Sequence, residues 1–162
     1  MMRKWILLVC MVMLVGVAKT SAQQAPAVDQ GFGKFWKALR TAVVGQNRHE
    51  VMKMTHFPVE NLICHDIEAK TDDELPKCSK EKFKSCYYKI FSRCLRKQFI
   101  KNRFPTKVTQ DKKGYYRFKA HMKYRVYGKR QGEGTVTLVF SKVDGTFKII
   151  RIVCAGVCGG DC

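Results

Sequence analysis

Acidic residues are scarce in this chain: 13 Asp and Glu stand against 31 Lys and Arg in 162 residues. Five of those acids, Asp66, Glu68, Asp72, Asp73 and Glu74, form the only acidic cluster, in a connector from Asp66 to Lys77. Their spacing does not follow the twelve-residue calcium loop of helix–loop–helix proteins, so the segment reads as a solvated acidic loop. Apolar runs are few as well. After Ala18, no apolar stretch is long enough to span a bilayer. There is no Cys-x-x-Cys, which removes the common thiol-redox motif. The cysteines also lack the paired two-residue gaps of structural zinc sites, so neither metal nor cofactor is expected.

What is present begins with a targeting signal. Arg3 and Lys4 precede the apolar run, and Thr20-Ser21-Ala22 supplies small residues behind it. This is the plan of a secretory signal peptide cleaved near Ala22, with Gly16-Val17-Ala18 as a second site. The run is shorter than the roughly 20 residues of a membrane anchor. The expected division is 1–22 signal peptide, 23–31 disordered lead, 32–153 one α+β domain and 154–162 a cysteine-bearing tail. Residues 1–22 hold three of the 31 cations and no acid, so the mature chain carries 28 cations against 13 acids, a charge of +15. Such a charge keeps a protein soluble and draws it to polyanions. Export, to the medium or the periplasm, makes those acidic polysaccharides or anionic lipid head groups, with no specific nucleic acid.

Phe32, Phe35, Trp36, Leu39, Ala42 and Val43 recur at helical steps, which predicts a helix ended by Gly45. Asn47, with Glu50 as capping-box partner, opens a second helix that ends at His56-Phe57-Pro58. Val59 to Ile67 reads as extended. Ser79 caps a long helix to Lys101, with Phe83, Tyr87, Ile90, Phe91, Cys94 and Leu95 on its apolar face. Its basic coat, Lys80 to Lys101, also suits an anionic membrane surface, but packing on a sheet explains the same periodicity. Asp111-Lys112-Lys113-Gly114 is a turn. Tyr116, Phe118, Ala120, Met122, Tyr124 and Val126 then alternate with Arg117, Lys119, His121, Lys123 and Arg125, which gives a strand one apolar and one cationic face. A hairpin loop over Gly128 to Gly134, a strand to Lys142, a tight turn at Asp144-Gly145 and a last strand to Val153 complete the domain. The tail reads as too glycine-rich for a strand.

Two segments carry a family resemblance. One is Phe35-Trp36-Lys37-Ala38-Leu39-Arg40-Thr41-Ala42-Val43, with Asn47-Arg48-His49-Glu50-Val51 and Phe57-Pro58. The other is Ser79-Lys80-Glu81-Lys82-Phe83 with Tyr87-Tyr88-Lys89-Ile90-Phe91. Over residues 32–153 the chain resembles small exported proteins of the nuclear-transport-factor-2-like superfamily. The resemblance implies a cystatin-like α+β cone, with the helices packed on a curved antiparallel sheet. Its motifs are packing residues and speak to fold more than function. Family enzymes, isomerases, dehydratases and hydrolases, place acids, histidines or tyrosines in the cone. This chain shows no inward carboxylate paired with a histidine. Tyr116, Tyr124 and His56 are the residues that reach for a pocket, and core or rim positions suit them better.

Seven cysteines follow the signal: Cys64, Cys78, Cys86, Cys94, Cys154, Cys158 and Cys162. In an exported chain they are disulfide candidates, with at least one left over. In an unbroken helix Cys86 and Cys94 stand roughly 12 Å apart, beyond disulfide reach. The tail cysteines have a similar spacing when extended, so two bridges would staple tail to helix while Cys64 and Cys78 close the connector. The function expected is a non-catalytic, exported, basic domain. It would bind an anionic partner through Arg117, Lys119, His121, Lys123 and Arg125, or a small apolar ligand. A cavity enzyme and a secreted inhibitor or defence protein are the alternatives, and no motif for protease inhibition is present. Peptide mapping without reduction should find Cys86 and Cys94 each in a cross-linked peptide; recovery of both as free thiols would end the staple.

Overall fold

The computed structural model describes residues 29–61, 63, 76–102, 108–126 and 130–156. Helix α1 (Gln30–Val44) is capped by Asp29, whose Oδ1 accepts from the Gly31 N–H at 2.7 Å. The same carboxylate pairs with Lys142 at 2.8 Å, tying the helix start to a strand end. The helix thus begins two residues ahead of Phe32. The helix stops at Gly45, but not through a left-handed glycine: Gly45 has φ −76°, and Gln46 takes the positive φ of 56°. A β-carbon on Gly45 would lie 3.1 Å from the Thr41 carbonyl, so glycine serves a close approach there.

Helix α2 (Arg48–Lys53) is capped by Asn47, which accepts from the Glu50 N–H at 3.1 Å. The reciprocal half of the capping box is replaced. Glu50 binds Lys53 at 2.8 Å, and the Asn47 N–H goes to the Ala42 carbonyl. His56-Phe57-Pro58, expected to end this helix, lies inside strand β1 (Thr55–Asn61), which has a cis Phe57–Pro58 bond. Strand β2 (Lys77–Cys78) leads to Ser79, which caps α3 (Lys80–Ile90) through the Lys82 N–H. The expected continuous helix is broken. Phe91 leaves helical geometry and Ser92 caps a separate α4 (Arg93–Lys101). A serine in this position offers the backbone an alternative partner, here the Leu95 N–H. The 12 Å separation of Cys86 and Cys94 therefore does not follow from a single helical axis.

Strand β3 (Val108–Gln110), β4 (Tyr116–Val126), β5 (Arg130–Val143) and β6 (Thr146–Gly156) form the meander. Asp144 and Gly145, at φ 50° and 75°, make the turn that needs two positive angles. The expected 128–134 loop is shorter, because Val126 already pairs with Arg130. The strand also runs past Val153, as Cys154, Ala155 and Gly156 pair with Val136, Thr135 and Gly134. A partner strand supplies the hydrogen bonds that composition alone did not promise. Residues 66–75, the acidic cluster and most of the tail lie outside the described residues.

The sheet has six strands in the order β2-β1-β6-β5-β4-β3. It is mostly antiparallel, as expected, with one parallel pair, β1 with β6. The fold is α+β, with the helices on one face of the sheet. Between them lies an aromatic core in which Phe32 stacks on Tyr116 at 4.1 Å and Trp36 on Phe99 at 5.2 Å. Phe118, Phe140 and Phe147 close around them from the strands. Arg40 crosses from α1 to cap α4, donating to the Phe99 carbonyl at 2.8 Å. Trp36→Ala is expected to cost about 3–5 kcal/mol in urea unfolding with the disulfides intact. Tyr88→Ala, on a ring 59% exposed, should stay within about 0.5 kcal/mol; equal losses would refute the placement of the core.

Candidate functional site on the helix-free face

The pleat of β4 sends Tyr116, Phe118, Ala120 and Met122 into the core, and Arg117, Lys119, His121 and Lys123 to solvent on the opposite face. Arg125 continues the alternation opposite Gln131, and its side chain lies outside what the structure describes. The cationic residues do not stand alone. Arg117 donates from Nε and Nη2 to Asp111 Oδ2 at 3.1 and 2.9 Å. His121 Nδ1 meets Thr135 Oγ1 at 2.9 Å. Lys123 pairs with Glu133 at 3.3 Å, both largely exposed, an arrangement that salt screens readily. Lys119 has no ion pair among the described residues.

A ladder row crosses the sheet on this face: Arg117 opposite Val139, Val139 opposite Arg151, Arg151 opposite Glu60, and Glu60 opposite Lys77. Over this row lies a groove of about 780 Å³. Its floor is Val139 and Ile150. Val139 is only 3% exposed, although it faces away from the helices. Ile150 reaches the groove through a bulge, since Val139 pairs with Arg151 and Phe140 with Ile149, leaving Ile150 without a partner. A bulge re-aims side chains. Here it turns the consecutive Ile150 and Arg151 to the groove while Ile149 and Ile152 stay buried. Strand β1 contributes His56, Pro58 and Glu60 at every second position. The β3–β4 turn contributes Asp111, Lys112, Lys113 and Tyr115.

The lining holds the five cations Lys77, Lys112, Lys113, Arg117 and Arg151 against the two carboxylates Glu60 and Asp111. Each carboxylate anchors one guanidinium: Arg151 Nε donates to Glu60, as Arg117 does to Asp111. Burial opposes ionisation of Asp111, but the N–H groups of Tyr115 and Lys113 and the Arg117 guanidinium outweigh it. They hold its pKa below the ordinary 3.8.

A second hollow, about 460 Å³, lies between α2 and α3 and is lined by Arg48, His49, Met52, Lys80, Glu81 and Lys84. On the core side, Tyr116 is stacked among rings, whereas His56 is exposed on the opposite face of the sheet, so the two do not share a pocket. The Tyr124 side chain lies outside what the structure describes. Within the core, the Trp36 Nε1 and the Tyr87 hydroxyl have no hydrogen-bond partner among the described residues. Burial, then the neighbouring Tyr88, pushes the Tyr87 pKa up to about 12. Among the described residues no group of three His, Cys, Asp or Glu side chains could hold a metal.

Cys78 is a buried free thiol whose pKa burial pushes up, so the expected Cys64–Cys78 closure is not formed. Cys86, Cys94 and Cys154 are disulfide-bonded, and the sulfurs they join fall outside the described residues. Cys64, Cys158 and Cys162 also lie outside them.

The β4 strip was legible from alternation alone. The groove was not, because His56-Phe57-Pro58 reads as a helix end and the bulge at Ile150 has no marker residue. One signal was available: Leu138-Val139-Phe140 breaks the period of two, as a strand covered on both faces does.

No family model matches the chain, and no curated protein matches it significantly. Among solved structures, it is similar to a protein from Xanthomonas campestris assigned as a calcium/calmodulin dependent protein kinase II association domain. That likeness has 16% identity and a TM-score of 0.37, over 76% of this chain and 81% of the other. It is too slight to carry a conclusion about function.

A depressed carboxylate pKa contributes stability that is complete above the unfolded value and is lost as pH falls through the folded one. Melting temperatures of the wild type and Asp111→Asn should therefore differ most near neutrality and converge as pH falls below the ordinary carboxylate range. Parallel curves would show that Asp111 does not anchor the turn.

Proposed function

We propose that this chain is an exported, basic, non-catalytic domain that holds an anionic partner on the helix-free face of its sheet. The observation that carries the reading is the surplus of cations on that face. Arg117, Lys119, His121 and Lys123 run along β4, while Lys112, Lys113, Lys77 and Arg151 surround the groove beside it. The remaining charges of the face do not cancel them: Glu60, Asp111 and Glu133 are each engaged with one cation. Opposite charge on a partner would be steered to this face and held there by long-range attraction.

The architecture suits such a role. Among the described residues the helices cover one face of the sheet and leave the other to strand side chains and the β3–β4 turn. We read the whole as a nuclear-transport-factor-2-like cone elaborated with cysteines, the tail being joined to the helical layer by disulfides. Cys86 and Cys94 on the helices are both bonded, as the staple requires. The apolar-ligand and cavity-enzyme readings gain no comparable support, since aromatic rings occupy the space between helices and sheet.

The mature protein should be retained on heparin, or on vesicles rich in anionic lipid, in moderate salt. Lys119→Glu combined with Lys123→Glu should elute at markedly lower salt, with the fold confirmed by circular dichroism. Retention unchanged in that variant would remove the strip from the binding surface.

A further inference from the structure

The groove beside the strip has a more specific character than a charged surface. Arg117 and Arg151 stand on either side of Val139, two strand spacings or roughly 10 Å apart at their α-carbons. Each guanidinium is held by one carboxylate, which fixes its orientation before any ligand arrives. Arg117 uses two of its five N–H donors on Asp111, leaving others for an anion. Between the two arginines the floor is apolar, made of Val139 and Ile150, and Tyr115 stands at the edge.

Four candidate partners place different demands on such a site. A bilayer is planar and would meet the rim, leaving the concave floor unfilled. Single-stranded nucleic acid uses successive aromatic platforms for its bases, and among the described residues the lining offers only the Tyr115 ring and the smaller His56 imidazole. An acidic peptide gains most from pairing with an exposed strand edge, whereas this groove crosses the middle of the sheet. A densely charged chain of either kind would also run over Glu60 and Asp111. Those carboxylates accept hydrogen bonds and repel anions, so they call for hydroxyl groups between the charges. Sugar rings offer that combination, with a C–H face for an apolar floor, hydroxyl edges, and carboxylate or sulfate groups at intervals.

We propose that the groove binds a segment of an acidic polysaccharide, with two of its anionic groups on Arg117 and Arg151 and a sugar ring over Val139 and Ile150. This rests on the anionic-partner reading above and assigns that partner a chemical class and a second set of contacts.

The test is calorimetric titration of the mature, disulfide-intact protein with a heparin-derived hexasaccharide at fixed salt. Arg151→Gln and Tyr115→Ala should each weaken binding roughly tenfold, with melting temperatures close to wild type. Arg151→Lys, which keeps the charge and loses the planar fork, should fall between. If both variants bind as the wild type does while the Lys119 and Lys123 reversal abolishes binding, the groove is overturned and the strip stands. If an equally charged polyglutamate, or vesicles rich in anionic lipid, bind as tightly and are indifferent to Tyr115→Ala, the saccharide class is overturned. If the wild type retains no polyanion at all, the strip and the groove fall together.

Discussion

The stack of Phe32 on Tyr116 is the contact on which the molecule turns. The rings lie 4.1 Å apart at an interplanar angle of 9°. One belongs to the first turn of α1, the other to the first residue of β4. Phe147 stands edge-on to both, at 5.2 and 5.5 Å, and so brings in the start of β6. Lys142 completes the corner by pairing with Asp29 and lying over the Phe147 ring. Aromatic pairs of this kind add to the burial of their large apolar surfaces. Once the corner is set, the direction of α1 and the facing of β4 are no longer independent. Every residue that alternates with Tyr116 must then point away from the helices.

That coupling explains how a chain with so few acids builds a cationic surface without burying charge. The helices consume the apolar half of each strand. The other half is left to Lys, Arg, His and Thr, which remain hydrated. Where the rule is broken, the exception is local. Val139 is buried on the wrong face for the main core, and the bulge brings Ile150 beside it. Two apolar side chains on a mostly polar face need cover, and the stems of Arg117 and Arg151, their ladder neighbours, are placed to supply some of it. The carboxylates Asp111 and Glu60 then hold the head groups.

The helical faces, Ser79 as a cap, the β4 alternation and the Asp144-Gly145 turn could all be read in the chain, because each depends on neighbours within a few residues. What escaped reading depends on a partner distant in sequence. Phe91 and Ser92 lie in a run whose apolar spacing is continuous, and only the cap to Leu95 reveals the break between α3 and α4. His56-Phe57-Pro58 is extended because β1 pairs with β6, about a hundred residues later. Cys154-Ala155-Gly156 is a strand because β5 is beside it. Asp29, the cap of α1, is tied to Lys142, more than a hundred residues away. The strip of the candidate site belongs to the first class and the groove to the second. Arg117 was visible from alternation, but Arg151 and Glu60 become its neighbours only through three strands.

The charge pattern also bears on why the groove keeps its two acids. Without Glu60 and Asp111, five cations would face one another across a small concavity, and the like-charge repulsion would splay or disorder their side chains. With them, each arginine has a fixed edge and the net charge stays positive. The arrangement costs some attraction for a bare polyanion. In return it gives the cations definite positions and adds acceptors where a ligand can present hydroxyls. A surface selected only for charge density would gain nothing from those acceptors. A surface that discriminates among anionic chains would, because specificity is a difference between affinities and needs groups that disfavour the wrong partner. Lys119 of β4, which has no ion pair among the described residues, is under no such constraint and supplies attraction. The groove, with three of its ten guanidinium N–H donors already committed, supplies selection.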